Sequence, residues 1–206
     1  MKIDFKKSHA TWILIMVLLF ALLAIIYPYI RETDQSLTYS LYDFAGVSTD
    51  RFFILITTLG SAYISYPLLG LLVFFFVIQK NMWMVLILIF NLVGVRSLNS
   101  VLKSFFNYER PEWKHLVEVG VHTFPSGHAM NTLAFFGFLG YLIYVHNNLK
   151  KKWTNLIIFL ISLFIFLVGL SRVYLGVHYL LDVIAGFIGG GFWLVVTIML
   201  YRLKRR

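Results

Sequence analysis

Three short polar segments interrupt an apolar chain, and they carry the residue types that phosphate chemistry needs. The first segment contains Lys103 and Arg110, and the third contains Arg172. Arginine presents a rigid fork of N–H donors that matches phosphate oxygens, and lysine adds a mobile point charge. Lys103 alone is equally typical of a side chain that extends from a membrane span to the headgroup level. Three cations in two segments favour an anion-binding site.

The second segment reads Pro125-Ser126-Gly127-His128 and directly precedes a long apolar run. Ser126 is a residue type that caps helices, and Gly127 lets a ligand approach the backbone closely. The unpaired N–H groups at a helix start attract anions. A Ser-Gly helix start is usually a cap without a ligand, so this segment by itself leaves both interpretations open.

His178 and Asp182 are four residues apart, which puts them on one face of a helix. A carboxylate there can accept a hydrogen bond from one imidazole nitrogen and leave the other free to attack. The alternative is a structural His–Asp hydrogen bond, and the pair alone does not decide. His128 could protonate a leaving oxygen as a general acid. Two such histidines beside three cations are what phosphoryl transfer through a phosphohistidine requires.

The elements that position these residues are predicted to be membrane spans. Hydrophobic residues make up 60% of the 206 residues and charged residues 13%, against roughly 45–50% and about 25% in soluble proteins. Several apolar stretches exceed the ~18 residues that suggest a membrane span. We predict six transmembrane helices, at Thr11–Tyr29, Leu59–Ile78, Met82–Val101, Ala129–Val145, Trp153–Leu170 and Tyr179–Met199. The second could begin earlier, near Phe52. The predicted fold class is an all-α polytopic membrane helix bundle.

Composition also excludes several classes of site. The chain has no cysteine, which excludes disulfides, thiolate nucleophiles and cysteine-ligated metals. Its net charge of +9 would suit nucleic acid, but the basic residues form short clusters between apolar runs, a pattern typical of membrane topology. The first run resembles a signal peptide but is long and lacks a small-x-small cleavage site, so we expect a retained anchor. We find no internal repeat or second domain.

The distribution of charge predicts the orientation of the spans. Most basic residues fall on one side of the membrane, namely Lys2, Lys6, Lys7, Lys80, Lys150, Lys151, Lys152, Arg202, Lys204, Arg205 and Arg206. The positive-inside rule makes this side cytoplasmic, with both termini inside and the loops 102–127 and 171–178 outside. The segment Arg31–Arg51 is polar enough for an outer loop. Its Leu41, Tyr42 and Phe44 could lie along the membrane surface.

The three segments together resemble the signature of the type 2 phosphatidic acid phosphatase superfamily, the lipid phosphate phosphatases. That superfamily includes bacterial phosphatidylglycerophosphate phosphatase B-type and undecaprenyl pyrophosphate phosphatases. Its motifs are lysine, six residues and arginine-proline; then Pro-Ser-Gly-His; then Ser-Arg, five residues, histidine, three residues and aspartate. The matching positions are Lys103, Arg110 and Pro111, then Pro125 to His128, then Ser171, Arg172, His178 and Asp182.

The resemblance implies a role for each motif residue. His178 would be the nucleophile, His128 the general acid and Asp182 the partner of His178. The phosphate would be bound by Lys103, Arg110, Ser126, Gly127 and Arg172. No metal and no cofactor are expected. One domain would occupy residues 1–206, with the motif-bearing core at about 50–203.

The expected activity is metal-independent hydrolysis of a lipid phosphate or pyrophosphate at the outer face of the cytoplasmic membrane. Undecaprenyl pyrophosphate is the favoured substrate, and phosphatidylglycerophosphate or a broad phosphatidate-type range is the alternative. A non-hydrolytic lipid or phosphate transporter or binding protein, and phosphoryl transfer to an acceptor other than water, are further alternatives. The expected partners are the lipid substrate and the bilayer, without nucleic acid, and the oligomeric state stays open.

Other polar residues have simpler predicted roles. His115 and His122 lie between the first two motifs, where a substrate contact is one interpretation. Asn91, Arg96 and Asn99 lie on the third span and are expected to join helices by hydrogen bonds. The pair Gly186-x-x-x-Gly190 predicts a close approach of two helices inside the bundle.

Overall fold

The computed structural model describes residues 5–42, 47–118, 120–146 and 149–204, and helices dominate throughout. The helices are α1 (Phe5–Tyr42), α2 (Val47–Leu59), α3 (Ala62–Ile78), α4 (Met82–Phe106), α5 (Gly127–His146), α6 (Lys151–Tyr174) and α7 (Leu180–Leu203). The only β pairing among the described residues is an isolated bridge between Glu109 and His122. The predicted all-α class is confirmed.

Six stretches of helix are long and apolar enough to cross a membrane, which confirms the predicted multi-pass layout. The second of these stretches, Thr49–Ile78, combines α2 with α3, so it begins earlier than Leu59. The two helices are separated at Gly60 and Ser61. The Ser61 side chain caps α3 by accepting a hydrogen bond from the Tyr63 backbone N–H, at 3.2 Å. A cap of this kind gives the new helix a defined start.

The prediction of an outer loop at Arg31–Arg51 is wrong for the first part of this segment, because α1 continues to Tyr42. Two polar residues of that part are buried against the start of α7. Asp34 accepts a hydrogen bond from the Leu181 backbone N–H at 3.2 Å, and Thr38 accepts one from the Leu180 N–H at 3.0 Å. These residues cap a neighbouring helix instead of facing water. Phe44 lies outside the described residues.

Helix α7 packs against α1, α4 and α5. Its two predicted contact glycines allow this packing with α5. A methyl group at Gly186 would lie 2.6 Å from the Ser126 carbonyl oxygen, and one at Gly190 would lie 2.5 Å from that of Met130. Both separations are shorter than a carbon atom tolerates, so the predicted close approach inside the bundle is confirmed. This packing brings the second and third motifs together.

The polar residues of α4 join helices as expected. Asn91 donates to the Ala134 carbonyl at 3.1 Å, and Asn99 donates to the Pro125 carbonyl at 3.2 Å. Arg96 donates to the Ser65 hydroxyl at 2.8 Å. In the apolar interior of a membrane protein such bonds fix the relative position of helices. The bundle has two ends. At the motif end, α4 and α6 end and α5 and α7 begin. At the opposite end, α5 and α7 end.

Candidate active site

The tight turn between α6 and α7 positions His178. Gly176 in this turn has φ +74°, a conformation that favours glycine. The turn folds back so far that the His178 backbone N–H donates to the Arg172 carbonyl, at 3.2 Å. The third motif therefore closes on itself, with Arg172 and His178 adjacent. The histidine is 2% exposed.

Asp182 lies one helical turn after His178 and orients its ring. The Nδ1 atom of His178 is 3.3 Å from Oδ2 of Asp182 and 3.0 Å from the Thr123 hydroxyl. The Thr123 hydroxyl in turn donates to Asp182 Oδ2. This arrangement assigns the ring proton to Nδ1, where two oxygen acceptors surround it. The Nε2 atom then carries no proton and can accept a hydrogen bond.

Two further groups hold the Asp182 carboxylate. Tyr27 of α1 donates its hydroxyl to Oδ1 at 2.9 Å, and the Tyr179 backbone N–H donates to Oδ2 at 2.8 Å. The carboxylate is fully buried, so these donors replace the water that it loses. Tyr27 and Thr123 are absent from the predicted site residues. Thr123 lies two residues before the second motif, whereas no local pattern singles out Tyr27.

Arg110 faces the Nε2 atom of His178. Its Nη1 atom lies 3.3 Å from His178 Nε2 and also donates to the Val177 carbonyl, while its Nε donates to the Gly120 carbonyl. Burial lowers the pKa of Arg110 to about 10, so the guanidinium keeps its charge at neutral pH. A phosphate bound against Nε2 would therefore meet this cation directly.

The surroundings of His178 keep its imidazole neutral. Burial lowers the pKa of His178 well below its ordinary value, and the charges of Arg110, Lys103 and Arg172 lower it further. A neutral ring is the form that can act as a nucleophile. The same cations that would bind phosphate thus prepare the group that would attack it.

Lys103 and Arg172 complete the cluster of cations. Lys103 Nζ donates to the His122 and Thr123 carbonyls at 2.6 and 3.3 Å. Arg172 is buried and donates Nη1 to the Thr57 hydroxyl of α2, while its Nε has no partner among the described residues. Thr57 is absent from the predicted set. A buried N–H without a partner marks a group that a ligand can satisfy.

Ser126 departs from its expected role as a helix cap. Its fully buried hydroxyl has no hydrogen-bond partner within the described parts of the chain. Its backbone N–H donates to the Asp182 carbonyl at 2.9 Å, which ties the start of α5 to the first turn of α7. A methyl group at Gly127 would lie 2.7 Å from Asn99 Oδ1, so Gly127 leaves room for Asn99. The free hydroxyl stays available for an anion.

His128 follows as the second residue of α5 and is half-buried. Its ring forms no hydrogen bond within the ranges that the structure describes, and the charges of Arg172 and Arg96 act on it most strongly. His115 lies on the loop and bonds the Pro111 carbonyl at 2.9 Å. His122 is half-buried, and its carbonyl holds Lys103. Substrate contacts of His115 and His122 stay predictions.

All predicted site residues therefore lie at the motif end of the bundle, and their individual roles stay predictions. Among the described residues, no three His, Asp or Glu side chains lie close enough together to hold a metal ion. The expected independence from metal also stays a prediction. The donors that converge here are cationic or neutral, a set that suits an anion.

Comparisons with known proteins agree with the motifs. The family model described as PAP2 superfamily matches residues 82–206. Phosphatidylglycerophosphatase B of Bacillus subtilis (strain 168) is 33% identical over 132 residues, which cover 64% of this chain. The bacitracin transport permease protein BcrC of Bacillus licheniformis is 35% identical over 132 residues, covering 60% of this chain. The matched regions span 65% and 60% of the length of these two relatives.

Two solved structures share the fold. The crystal structure of the first transmembrane PAP2 type phosphatidylglycerolphosphate phosphatase from Bacillus subtilis superposes with a TM-score of 0.84 at 26% identity. That match covers 91% of this chain and 94% of the solved one. The crystal structure of Aquifex aeolicus LpxE gives a TM-score of 0.58 at 29% identity, covering 80% of this chain and 93% of the solved one.

Proposed function

The chain belongs to the PAP2 superfamily, and from this membership and the residues gathered at the motif end we propose that it is a membrane phosphatase acting on a lipid phosphate or pyrophosphate. The observation that carries the proposal is the pairing of His178 with Asp182 at 3.3 Å, with Arg110 3.3 Å from the unprotonated Nε2 atom. A buried neutral nucleophile that faces cations suits a phosphorylated substrate.

In the first step, His178 Nε2 attacks the terminal phosphorus and forms a P–N bond. The P–O bond to the leaving group breaks, its electron pair stays on the leaving oxygen, and His128 donates the proton that neutralises this oxygen. The negative charge of bound phosphate favours the protonated form of His128. Arg110, Lys103 and Arg172 offset the charge that spreads over the three equatorial oxygens.

In the second step, a water molecule attacks the same phosphorus atom and the P–N bond breaks. His128, now neutral, accepts a proton from this water, and the electron pair of the P–N bond returns to His178 Nε2. Inorganic phosphate leaves and the enzyme regains its starting state. Throughout, the Asp182 carboxylate stabilises the positive charge that the His178 ring carries in the phosphorylated state.

For the substrate we favour undecaprenyl pyrophosphate, with phosphatidylglycerophosphate as the alternative. Both place a terminal phosphate at the membrane boundary, where the motif residues lie. The similarity to a protein named phosphatidylglycerophosphatase B supports the alternative. A panel assay of purified protein on a prenyl pyrophosphate, phosphatidylglycerophosphate and phosphatidate, with and without chelator, tests both. Phosphate release that the chelator abolishes would contradict the metal-free mechanism, and no release from any lipid would contradict the function.

For the orientation we propose that the motif end faces outward and that both termini are cytoplasmic, since the lysine-rich segments lie at the opposite end. The chain has no native cysteine, so single cysteines report topology directly. Val121 is 75% exposed on the motif-end loop, and Leu149 is exposed at the opposite end. An impermeant thiol reagent added to intact cells should label V121C and spare L149C. The reverse pattern would overturn the orientation.

A further inference from the structure

A fourth cation, Arg96, lies within the span formed by α4, where a charge is costly unless it has a partner or a function. Its contacts in the described chain are neutral. One guanidinium nitrogen donates to the Ser65 hydroxyl at 2.8 Å, and the guanidinium lies over the Tyr66 ring, 4.7 Å from its centroid. Its Nε is buried and has no hydrogen-bond partner among the described residues. The contacts with α3 therefore leave the Nε–H group of Arg96 without an acceptor in the described part of the chain.

The register of α4 places Arg96 beside the second motif. Arg96, Asn99 and Lys103 are spaced i, i+3 and i+7 and share one face of the helix. Lys103 contacts the His122 and Thr123 carbonyls, and Asn99 contacts the Pro125 carbonyl and lies against Gly127. Arg96 lies about 4.5 Å deeper along the axis than Asn99, because an α-helix rises 1.5 Å per residue.

At that depth Arg96 lies on the His128 side of the site. Asn99, one turn nearer the motif end on the same helix face, lies against Gly127, the residue before His128. Among the charges that act on His128, that of Arg96 follows that of Arg172 and precedes those of Arg110 and Lys103. Arg110 instead contacts His178. Arg110, Lys103 and Arg172 act on the attacking histidine, whereas Arg172 and Arg96 act most strongly on the proposed general acid. In an in-line displacement the leaving group departs on the side of the general acid.

The side chain of Arg96 is half-buried, and exposed residues of α3 and α4 lie next to it. It lies between α3 and α4, where Tyr66 is exposed and Val93 of α4 is exposed on the outside of the bundle. The lipid part of a substrate is its leaving group, and it must extend from His128 toward the bilayer. A negative charge close to the bond that breaks would therefore come near Arg96 on this path.

We propose that Arg96 binds an anionic phosphate in the leaving group, so that the enzyme prefers lipid diphosphates to lipids whose leaving group is an uncharged alcohol. The inference rests on the proposed phosphatase function. When a diphosphate reacts, the bond between the terminal phosphorus and the bridging oxygen breaks, and the electron pair stays on a lipid monophosphate. Arg96 stabilises this developing charge. The leaving group of phosphatidylglycerophosphate, phosphatidylglycerol, also carries an anionic phosphate. The three carbons of glycerol separate that phosphate from the bond that breaks.

The test measures kcat/KM of detergent-purified protein for a prenyl diphosphate, phosphatidylglycerophosphate and phosphatidate. The variants are R96Q and R96M, the latter with a side chain that suits a membrane span if R96Q does not fold. Since a hydrogen bond to a charged group matters most where charge develops, we expect a loss of roughly ten- to hundredfold for the diphosphate. For phosphatidate we expect a loss of less than about threefold. Phosphatidylglycerophosphate should fall between the two.

The matched control is S65A, which removes the hydroxyl that holds Arg96 but keeps the cation. If Arg96 acts on the leaving group, S65A keeps the preference for the diphosphate. Equal losses on all three lipids in both Arg96 variants would overturn the inference, and so would a loss of preference in S65A equal to that in R96Q. Wild-type protein that releases phosphate from none of the lipids would instead contradict the proposed function itself.

Discussion

Two histidines at opposite ends of the bundle show what distinguishes a site from a structural contact. His178 at the motif end pairs with a buried carboxylate and faces Arg110. His146 ends α5 at the opposite end, where its Nε2 lies 2.9 Å from the Tyr201 hydroxyl and its Nδ1 lies 3.0 Å from the Leu142 carbonyl. Both rings have ordered partners. The first has an acid that orients it and several cations that could bind a phosphate.

The size of a cavity does not make this distinction. A cavity of about 760 Å³ lies beside His146, and most of the residues that line it are apolar, among them Leu88, Leu139 and Ile143. Space of that kind suits apolar chains, although a few polar residues, among them Asn81 and Lys204, border it. The comparison therefore teaches that converging charge around a neutral nucleophile, and not volume, marks the reactive end of this bundle.

The largest expected effect separates the two histidines directly. Replacing His178 with Ala removes the nucleophile and should lower phosphate release by roughly 10⁴-fold or more. Replacing His146 with Ala should change it by less than about twofold, because that ring lies at the end of the bundle opposite the motif residues. Initial rates of the purified variants on one lipid phosphate check both values. Comparable losses in H146A would show that the two ends do not differ as described.

The next effect concerns the acid that orients His178. The variant D182N keeps the shape of the side chain but loses the charge that stabilises the phosphorylated ring. We expect kcat to fall by roughly 10³-fold, with a small change in KM. Steady-state kinetics measure the two constants separately. A rise in KM with unchanged kcat would instead assign Asp182 to substrate binding.

A smaller effect is expected from Thr123, whose hydroxyl touches both His178 Nδ1 and Asp182. The variant T123V keeps the volume but removes the hydroxyl, so the histidine proton retains only the longer bond to Asp182. We expect a loss of about tenfold in kcat. T123S restores the hydroxyl and should recover most of the rate. Equal losses in T123V and T123S would point to packing of the methyl group instead.

The smallest effect is a shift along the pH axis. Because burial and neighbouring cations lower the pKa of His178, its neutral form persists to a lower pH than in an unperturbed histidine side chain, whose pKa is about 6.5. The acid limb of kcat/KM should therefore lie below pH ~6.5. Removing one cation in K103Q should raise the pKa of His178 and move this limb to higher pH by roughly half a unit to one unit. A limb that stays in place or moves to lower pH would contradict the assigned coupling.

The motif residues and the spans were accessible to prediction because their signals are local. Apolar runs of span length need no tertiary information, and the spacing of His178 and Asp182 already puts both on one helix face. The segment Arg31–Arg51 was not accessible in this way. Its polar residues suggest water, but Asp34 and Thr38 face backbone N–H groups of α7. Composition cannot tell a polar group in water from one with a buried partner.

By itself the sequence determined the membrane class, the number of spans, the family and the set of charged residues at the motif end. Only the tertiary structure decided which groups complete the site. Tyr27 contacts Asp182 across 155 positions of the chain, and Arg172 contacts Thr57 across 115. Such contacts arise when helices distant in sequence pack side by side, so they leave no periodic or local pattern. For the same reason the side of the site on which Arg96 lies follows from the packing of α4 against α3 and α5.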